Sequence, residues 1–550
     1  QWEELQVSGI KSLAVTVGSD RDLSLEQTLR LNISGRIGKD TQVLALLTDQ
    51  NSPIQPEGNT EKLQDLDEIL LQIKKDNFTV ILGDYDLSFT QTELGRYEHK
   101  LQGICSQFAS SQFRLTLAGA LSRGQFTTNE FMGSEGNQGP YQLKAEDGNI
   151  NIVVVAGSEK VWLNGELLKR GENNDYVIEY GNGQVTFTPR RLITTDSRIT
   201  VDFEYSHQEY KRNSWGIRSE VDLWDNKARF GLTALREGDE RKNPLAFVLN
   251  EAEQTLLETV GDNSASAWIS GVALSTTGKG HYTALYDTLL CRYYKFDPQG
   301  QSGYNLSFSW VGEGGDYSYI GGGIYEYAGK GKGEYLPKRF LPLPTAHHIE
   351  VLDFNFTPVR AISLSGEIGS SNLDLNTFSS QDDGDNVGRA YKLNASLHPS
   401  RISLGGRGLG SVQLDLRYRS IDKRFRPLGR TSEVEEKYQW GISTETSSQT
   451  NLSQQEDKRE ILGSYHFTKQ SALNFEYGEL RKQSDIRSKR RRISLLLKER
   501  KAPHISYHWD LVSPQVAGDI LRQRGRISWS LWKFMPEVHC ETPIHSAPLA

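Results

Sequence analysis

The sequence predicts an all-β protein, a large antiparallel transmembrane β-barrel of about twenty or more strands with a small β-sandwich inserted as a plug-like domain. Three observations carry this. Apolar and polar residues alternate with period two over most of the chain, the mark of strands with two unlike faces. Of the 550 residues only 36% are hydrophobic, yet 10% are aromatic and 51 are glycine. Mean hydropathy is −0.55, which a barrel tolerates because a spanning strand shows lipid only every second side chain. Finally, no apolar run reaches the roughly 18 residues of a membrane helix, so any membrane structure must be built of strands.

The first clear strand places Leu29, Leu31, Ile33 and Ile37 on one side and Arg30, Asn32, Ser34 and Arg36 on the other. LTDQNSPIQPEGNT follows at 47–60, with Asp49, Asn51, Pro53, Pro56, Glu57 and Asn59 forming a rigid polar loop that reads as a shaped loop folded into the lumen, the alternative being a ligand site. One or two helical turns are expected at Thr60 to Leu66. Alternation returns at Phe113, Leu115 and Leu117, and residues 1–138 are assigned to N-terminal barrel strands.

Residues 139–206 differ in texture, with short strands and tight turns. Asn164-Gly165 is a strong type I′ hairpin signal, and Gly181 to Gly183 joins a second hairpin. Arg170 and Asp175 lie in the turn between these hairpins, and the unit reads as a β-sandwich serving as a plug or periplasmic domain.

Residues 207–535 read as the remaining barrel strands: Ile217, Val221, Leu223; Ala228, Phe230, Leu232, Ala234; Leu393, Ala395, Leu397; Leu414, Leu416, Tyr418; Leu473, Phe475, Tyr477; Ile505, Tyr507, Trp509, Leu511; and Ile527, Trp529, Leu531. A helix capped by Asn250 is expected over Glu251 to Val260 and ended by Gly261. The stripe Tyr304, Leu306, Phe308, Trp310 and the series Tyr317 to Tyr327 read as lipid-interface strands of the same barrel. Residues 536–550 read as an irregular tail, which leaves open whether this chain alone closes the barrel.

Most chemistry finds no footing. The net charge of −7 and scattered basic residues give no nucleic-acid footprint, and the run Lys489 to Arg492 reads as a solvated strand end. No Walker loop, complete GxGxxG or GxSxG is present, so neither nucleotide binding nor a cofactor is expected. Cys105, Cys291 and Cys540 lie too far apart for a zinc ribbon. His347-His348 would face opposite ways on a strand. The acidic loop Asp374, Asn376, Asp382, Asp383 and Asp385 is a weak calcium candidate, since it offers hard oxygen ligands without EF-hand spacing. Glu172 and Asp175 could make a carboxylate pair, but acids at a turn usually solvate it, so no enzyme is expected.

VGSDRDLSLEQTLRLNISG at 17–35, LTDQNSPIQPEGNTEKLQDLDEI at 47–69 and VWLNGELLKRGENNDYVIEYGNGQVTFTPRRLITTDSRITVDFEYS at 161–206 resemble a group of large outer-membrane β-barrel proteins of Gram-negative bacteria. The resemblance runs from about Val7 to Pro399 and implies a bacterial outer-membrane location, but brings no activity with it. More loosely, a barrel interrupted by a small β-domain is similar to fimbrial ushers and to the type IX secretion translocon barrel. These readings imply a passive pore or a secretion channel gated by the inserted domain, with outer-membrane lipid and other envelope or secretion proteins as partners. The export signal is then expected to lie outside the sequence. The competing reading is a soluble cell-surface protein using its Tyr/Gly strands for glycan binding or adhesion.

Overall fold

The computed structural model describes residues 5–18, 21–37, 40–50, 58–59, 68–121, 124–206, 209–245, 247–276, 278–286, 292–398, 402–404, 407–442, 455–483, 486–498, 503–515, 518–529 and 537–545. Among them a 20-stranded antiparallel sheet dominates. It is a meander. Gln6–Gly18, Arg21–Ile37, Thr41–Gln50, Glu68–Lys75, Phe78–Phe89, Tyr97–Ala109 and Phe113–Leu121 pair each with the next. Tyr210–Leu223 then lies beside Phe113–Leu121 and passes the ladder to Ala228–Pro244 and Ala346–Val359. Ile362–Asp374, Val387–Leu397, Arg407–Ile421, Glu456–His466, Ala472–Lys482, Ile486–Leu497, His504–Pro514, Ile520–Ser528 and Glu537–His545 continue it, and the short Ile402–Leu404, folded back on Arg407–Ile421, is the twentieth strand. Among the described residues no ladder joins the first strand to the last.

The last strand corrects the expectation of an irregular tail: Glu537–His545 pairs with Ile520–Ser528 along its whole length. Its alternation is poor, but ladder hydrogen bonds come from the backbone, and an outermost strand tolerates Pro543 where an inner one would not.

The two faces are unlike. On Tyr210–Leu223 the residues Ser214, Gly216, Arg218, Glu220 and Asp222 are buried, while Trp215 and Leu223 are exposed. The exposed apolar positions line up from strand to strand. Leu352 is 59% exposed and stands opposite Leu232 and Ile368, themselves 38% and 54% exposed. The belt continues through the pairs Ile368 with Tyr391, Leu393 with Tyr418, Leu416 with Ile461, Phe475 with Ile493, and Ile505 with Ile527. A sheet in water puts its greasy face inside. Here an apolar belt stays exposed on one face, while the other buries ion pairs beside an apolar cluster.

The other face is concave, because segments lying on it touch strands far apart in the meander. Tyr97 donates a hydrogen bond to Glu237 at 2.8 Å, and the backbone amides of Glu93 and Leu94 each donate to Glu367 at 2.9 Å. The connections 76–77, 110–112, 224–227 and 360–361 are short and share one end. Those at 51–67, 90–96, 122–209, 245–345, 375–386 and 422–455 are long and share the other.

Two of these long connections are folded units. In the first, Gln125–Met132 pairs with Arg198–Ser206 in one sheet, and Tyr141–Gln142, Tyr176–Glu179 and Gln184–Phe187 form a second. Both sheets enclose one core containing Val154, Val161, Tyr176, Val185, Phe187, Val201 and Phe203. The unit thus starts at Gln125 and not at Gly139. Its first strand alternates like a barrel strand, and only its partner reveals the sheet it joins.

The second unit overturns the assignment of the Tyr-rich stretch to the large sheet. Tyr304–Leu306, Ser309–Gly315, Tyr317–Gly321 and Ile324–Tyr327 belong to two separate four-stranded sheets. Several of the rings pack on each other: Phe308 stacks on Tyr325 at 4.4 Å and lies 4.8 Å from Tyr317, while Trp310 and Tyr319 stay exposed. Glycines in the left-handed region at Gly312, Gly314 and Gly321 to Gly323 cut these strands short of a span. The expected helix is present as Glu251–Thr259, with a capping box between Asn250 and Glu253. The one expected over 60–66 lies outside the described residues.

Candidate functional site

Part of the inner face is an apolar cluster in which Leu87, Phe89, Leu235, Ile349 and Val351 pack with Leu94 and Phe425, and beside it runs a ladder of ion pairs. At one level across the strands stand Glu220, Gly231, Asp353, Glu367, Lys392, Arg419 and Lys458. Arg218 bridges Glu220 at 2.9 Å and Asp353, and donates to Thr233 at 2.9 Å. Gly231 makes room for it, since a Cβ there would lie 2.5 Å from the guanidinium. Arg419 joins Glu93 at 3.1 Å and Glu456 at 3.0 Å. Farther round, Asp510 receives Arg490 at 3.0 Å and Arg522 at 3.4 Å, while Arg492 meets Glu476 at 3.0 Å. The basic run is therefore not a solvated strand end throughout: Arg490 and Arg492 turn inward, and Lys489 and Arg491 outward.

A connecting segment, 422–442, lies within this wall. Phe425 is fully buried beside Leu94, Gly369 and Ala390. The backbone at Arg424 and Phe425 crosses so close to Gly388 that a Cβ there would come within 2.0 Å of the Phe425 nitrogen. Further along, a single helical turn, Glu436–Gln439, is clasped from several strands. Glu436 pairs with Lys482, with Lys458 at 3.6 Å and with Arg419 at 3.9 Å. Burial pushes its carboxyl up, but Lys482, Lys458 and Arg419 outweigh this and hold it below the usual carboxylate range. The carbonyl oxygen of Trp440 accepts from Ser488 at 2.7 Å, that of Tyr438 accepts from Arg522 at 2.7 Å, and the Trp440 ring is 1% exposed.

The inserted β-domain docks on this segment and on the wall together. Arg430 lies 3.0 Å from Asp202 and 4.5 Å above the Trp162 ring. Arg198 meets Glu435 at 2.7 Å and covers Tyr438 at 3.8 Å, and Lys437 meets Glu130 at 2.6 Å. On the wall side, Lys160 joins Glu98 at 2.5 Å and Glu204 lies 3.2 Å from His99. Burial pushes the Asp202 carboxyl up, only partly offset by Arg430. Wall, segment and domain form one stack.

The residues singled out in the sequence take varied places. Of the polar loop, Asp49 lies on Thr41–Gln50 opposite Leu29, and the carbonyl oxygen of Asn59 accepts from the Glu172 amide at 2.8 Å. Gly58 bridges Ile178, so this part of the loop reaches the inserted domain; Asn51, Pro53, Pro56 and Glu57 lie outside the described residues. Asn164 and Gly165 have φ 52° and 83°, as a type I′ turn requires. Gly181 and Gly183 close the second hairpin, with Gly183 at φ 66°. Arg170 pairs with the buried Glu159 at 2.5 Å, and Asp175 with Arg191 at 2.8 Å, so neither is free for chemistry. In the acidic loop, Asn376 spends its amide group on the carbonyls of Leu257 and Gly261, capping the helix end instead of facing an ion. Asp374, Asp382, Asp383 and Asp385 raise the pKa of Asp262, after its own burial, yet among the described residues no group of three or more His, Cys, Asp or Glu is placed to hold a metal. Sequence reasoning missed Arg218, Arg419, Arg430 and Glu436. A signal existed for the first two, because charges at every second strand position mark an ionic face.

Residues 126–207 match a family model described as "Domain of unknown function (DUF8818)", nearly the span of the first inserted unit. Among solved structures, a BenF-like porin from Pseudomonas fluorescens Pf-5 aligns at 7% identity and TM-score 0.30, covering 98% of this chain and 97% of that one. Pseudomonas aeruginosa OccK9 (OpdG) aligns at 8% identity and TM-score 0.30, with 97% and 96% covered. The translocation pore of the P pilus usher PapC aligns at 8% identity and TM-score 0.30, with 95% and 80% covered. No curated protein matches the chain. Likenesses this distant do not bear on activity; the large antiparallel sheet with unlike faces stands on its own ladders.

Proposed function

We propose that this chain is an outer-membrane β-barrel channel, held closed in this conformation by segment 422–442 and backed by the inserted domain at 125–206. One observation supports it above the others. The sheet shows a continuous apolar belt outward and buries a ladder of ion pairs inward, the arrangement favoured by lipid outside and a polar lumen inside. In water the same belt would be an exposed greasy band around the molecule, an aggregation hazard. This weighs against a soluble binding protein.

The longest connections all lie at one end, as in barrels whose turns face the periplasm and whose loops face outside. Both inserted units then sit at the outer end. The test is reconstitution. Extracted chain should need detergent, shift its gel mobility on heating and conduct little in planar bilayers. Deleting 424–440, bridged by a Gly/Ser linker, should then produce a steady ionic current. A chain monodisperse without detergent sinks the barrel, whereas a folded deletion variant that stays silent sinks only the gate.

A further inference from the structure

The outer face changes character toward the long-connection end. Tyr391, Ser420, Asp457, Arg481 and Arg487 stand opposite one another in a single row across five strands, one step beyond the row holding Leu393 and Tyr418. Arg389 joins them from the same face of its strand. These residues line one depression of about 460 Å³. Two of its acids are paired with cations, Asp457 with Arg459 at 3.1 Å and Glu456 with Arg419 at 3.0 Å, while Asp422 accepts from the Arg424 backbone amide at 2.8 Å and keeps its charge, which leaves three guanidinium groups against one free carboxylate. Arg389, Arg481 and Arg487 are exposed, and among the described residues none of the three has a carboxylate partner.

Three unpaired guanidinium groups facing one hollow at the rim of an apolar belt are the chemistry of phosphate recognition at a membrane surface. We propose that this depression binds the phosphate groups of a phosphorylated glycolipid in the outer leaflet, its acyl chains lying on the belt below. The proposal rests on the barrel reading and on the long connections facing outside. Tyr391 and Tyr418, 43% and 38% exposed, lie where amphipathic rings settle at headgroup level. The outward members of the basic run, Lys489 and Arg491, extend the positive strip toward the belt.

The test uses the whole chain purified in neutral detergent, with the midpoint of heat-induced mobility loss as readout. Diphosphorylated lipid A should raise the midpoint, while lipid A stripped of phosphate should not. The variant R389Q/R481Q/R487Q should bind about 100-fold more weakly, from about fivefold per arginine near a charged surface. R487Q alone, the gentler change, should lose about fivefold, and K74Q/K75Q at the opposite end should respond like the parent. Equal responses of parent and triple variant overturn the site. Equal protection by inorganic phosphate overturns the lipid as its occupant, and equal protection by dephosphorylated lipid A assigns the effect to the belt alone. A parent chain that needs no detergent fails the barrel itself and is read separately.

Discussion

Replacing Gly388 by alanine should open the channel without unfolding it. Gly388 is on Val387–Leu397 opposite Ser371, and its φ lies outside the left-handed region, so the strand accepts a Cβ. Segment 422–442 does not, because that Cβ would stand 2.0 Å from the Phe425 nitrogen and 2.2 Å from the Arg424 carbonyl carbon. Ordinary contact needs about 3.5 Å, so the segment must retreat by more than about 1 Å, or the strand must bend away from its ladder. Unseating Phe425, which is fully buried, costs about 2 kcal/mol, a shift of about thirtyfold in the ratio of closed to open forms. Phe425→Ala should act in the same direction with no clash. The assay is single-channel recording in planar bilayers, with the heat-induced mobility shift as the check on barrel integrity. If both variants keep the parent's melting midpoint and stay as silent as the parent, segment 422–442 does not close this barrel.

On the proposed barrel reading, Leu352→Lys lowers assembly by about 2–4 kcal/mol, read as loss of the heat-modifiable form, whereas Leu352→Phe is nearly neutral; equal tolerance of both would remove the lipid face. Domain docking predicts a coupling of about 1–3 kcal/mol between Asp202→Ala and Arg430→Ala in a double-mutant cycle on channel closure, and additive effects would show that the two do not meet. Phe308→Ala removes a half-buried ring and should cost the Tyr-rich unit about 1–3 kcal/mol, read as protease cleavage within 268–340, while leaving membrane insertion intact. Acid should loosen the turn at Asp175. Burial alone would raise this carboxyl's pKa, but Arg191 and the Lys169 amide hold it below the ordinary value, so its contribution is present above the unfolded pKa and fades as pH falls through the folded one. Cleavage near Lys169 should therefore rise below about pH 4, and Asp175→Asn should show the same cleavage at every pH.

What could be read from the sequence follows from what period-two alternation encodes. It tells which side chains share a face, so Leu416, Tyr418, Leu473, Phe475 and Tyr507 are expected together and stand exposed on the outer belt. It does not tell which strand is the neighbour. Gln125–Met132 and the Tyr304 to Tyr327 stretch alternate as well as any barrel strand, and were misplaced because partnership is set by contacts distant in sequence. Local turn chemistry was plain at Asn164-Gly165 and at the Asn250 cap, where one or two residues decide the backbone. The gate was not. Segment 422–442 has neither long helix nor periodicity, and Glu436 gains its meaning only from Lys458 and Lys482 on strands that follow it. The ionic wall was half visible, in that polar positions were expected inside without their pairing by opposite charge.

The pairing of Gln125 with Tyr205 at the foot of the inserted domain bears on how the cylinder is assembled. Phe113–Leu121 must find Tyr210–Leu223 across the whole of that insertion, and an unstructured chain of such length meets its own ends slowly and at an entropic cost. Once the small sandwich has folded, its first and last strands hold the two barrel strands almost side by side, and the search shrinks to a hairpin. The domain then acts as a clip, letting the middle of the meander zip before its edges arrive.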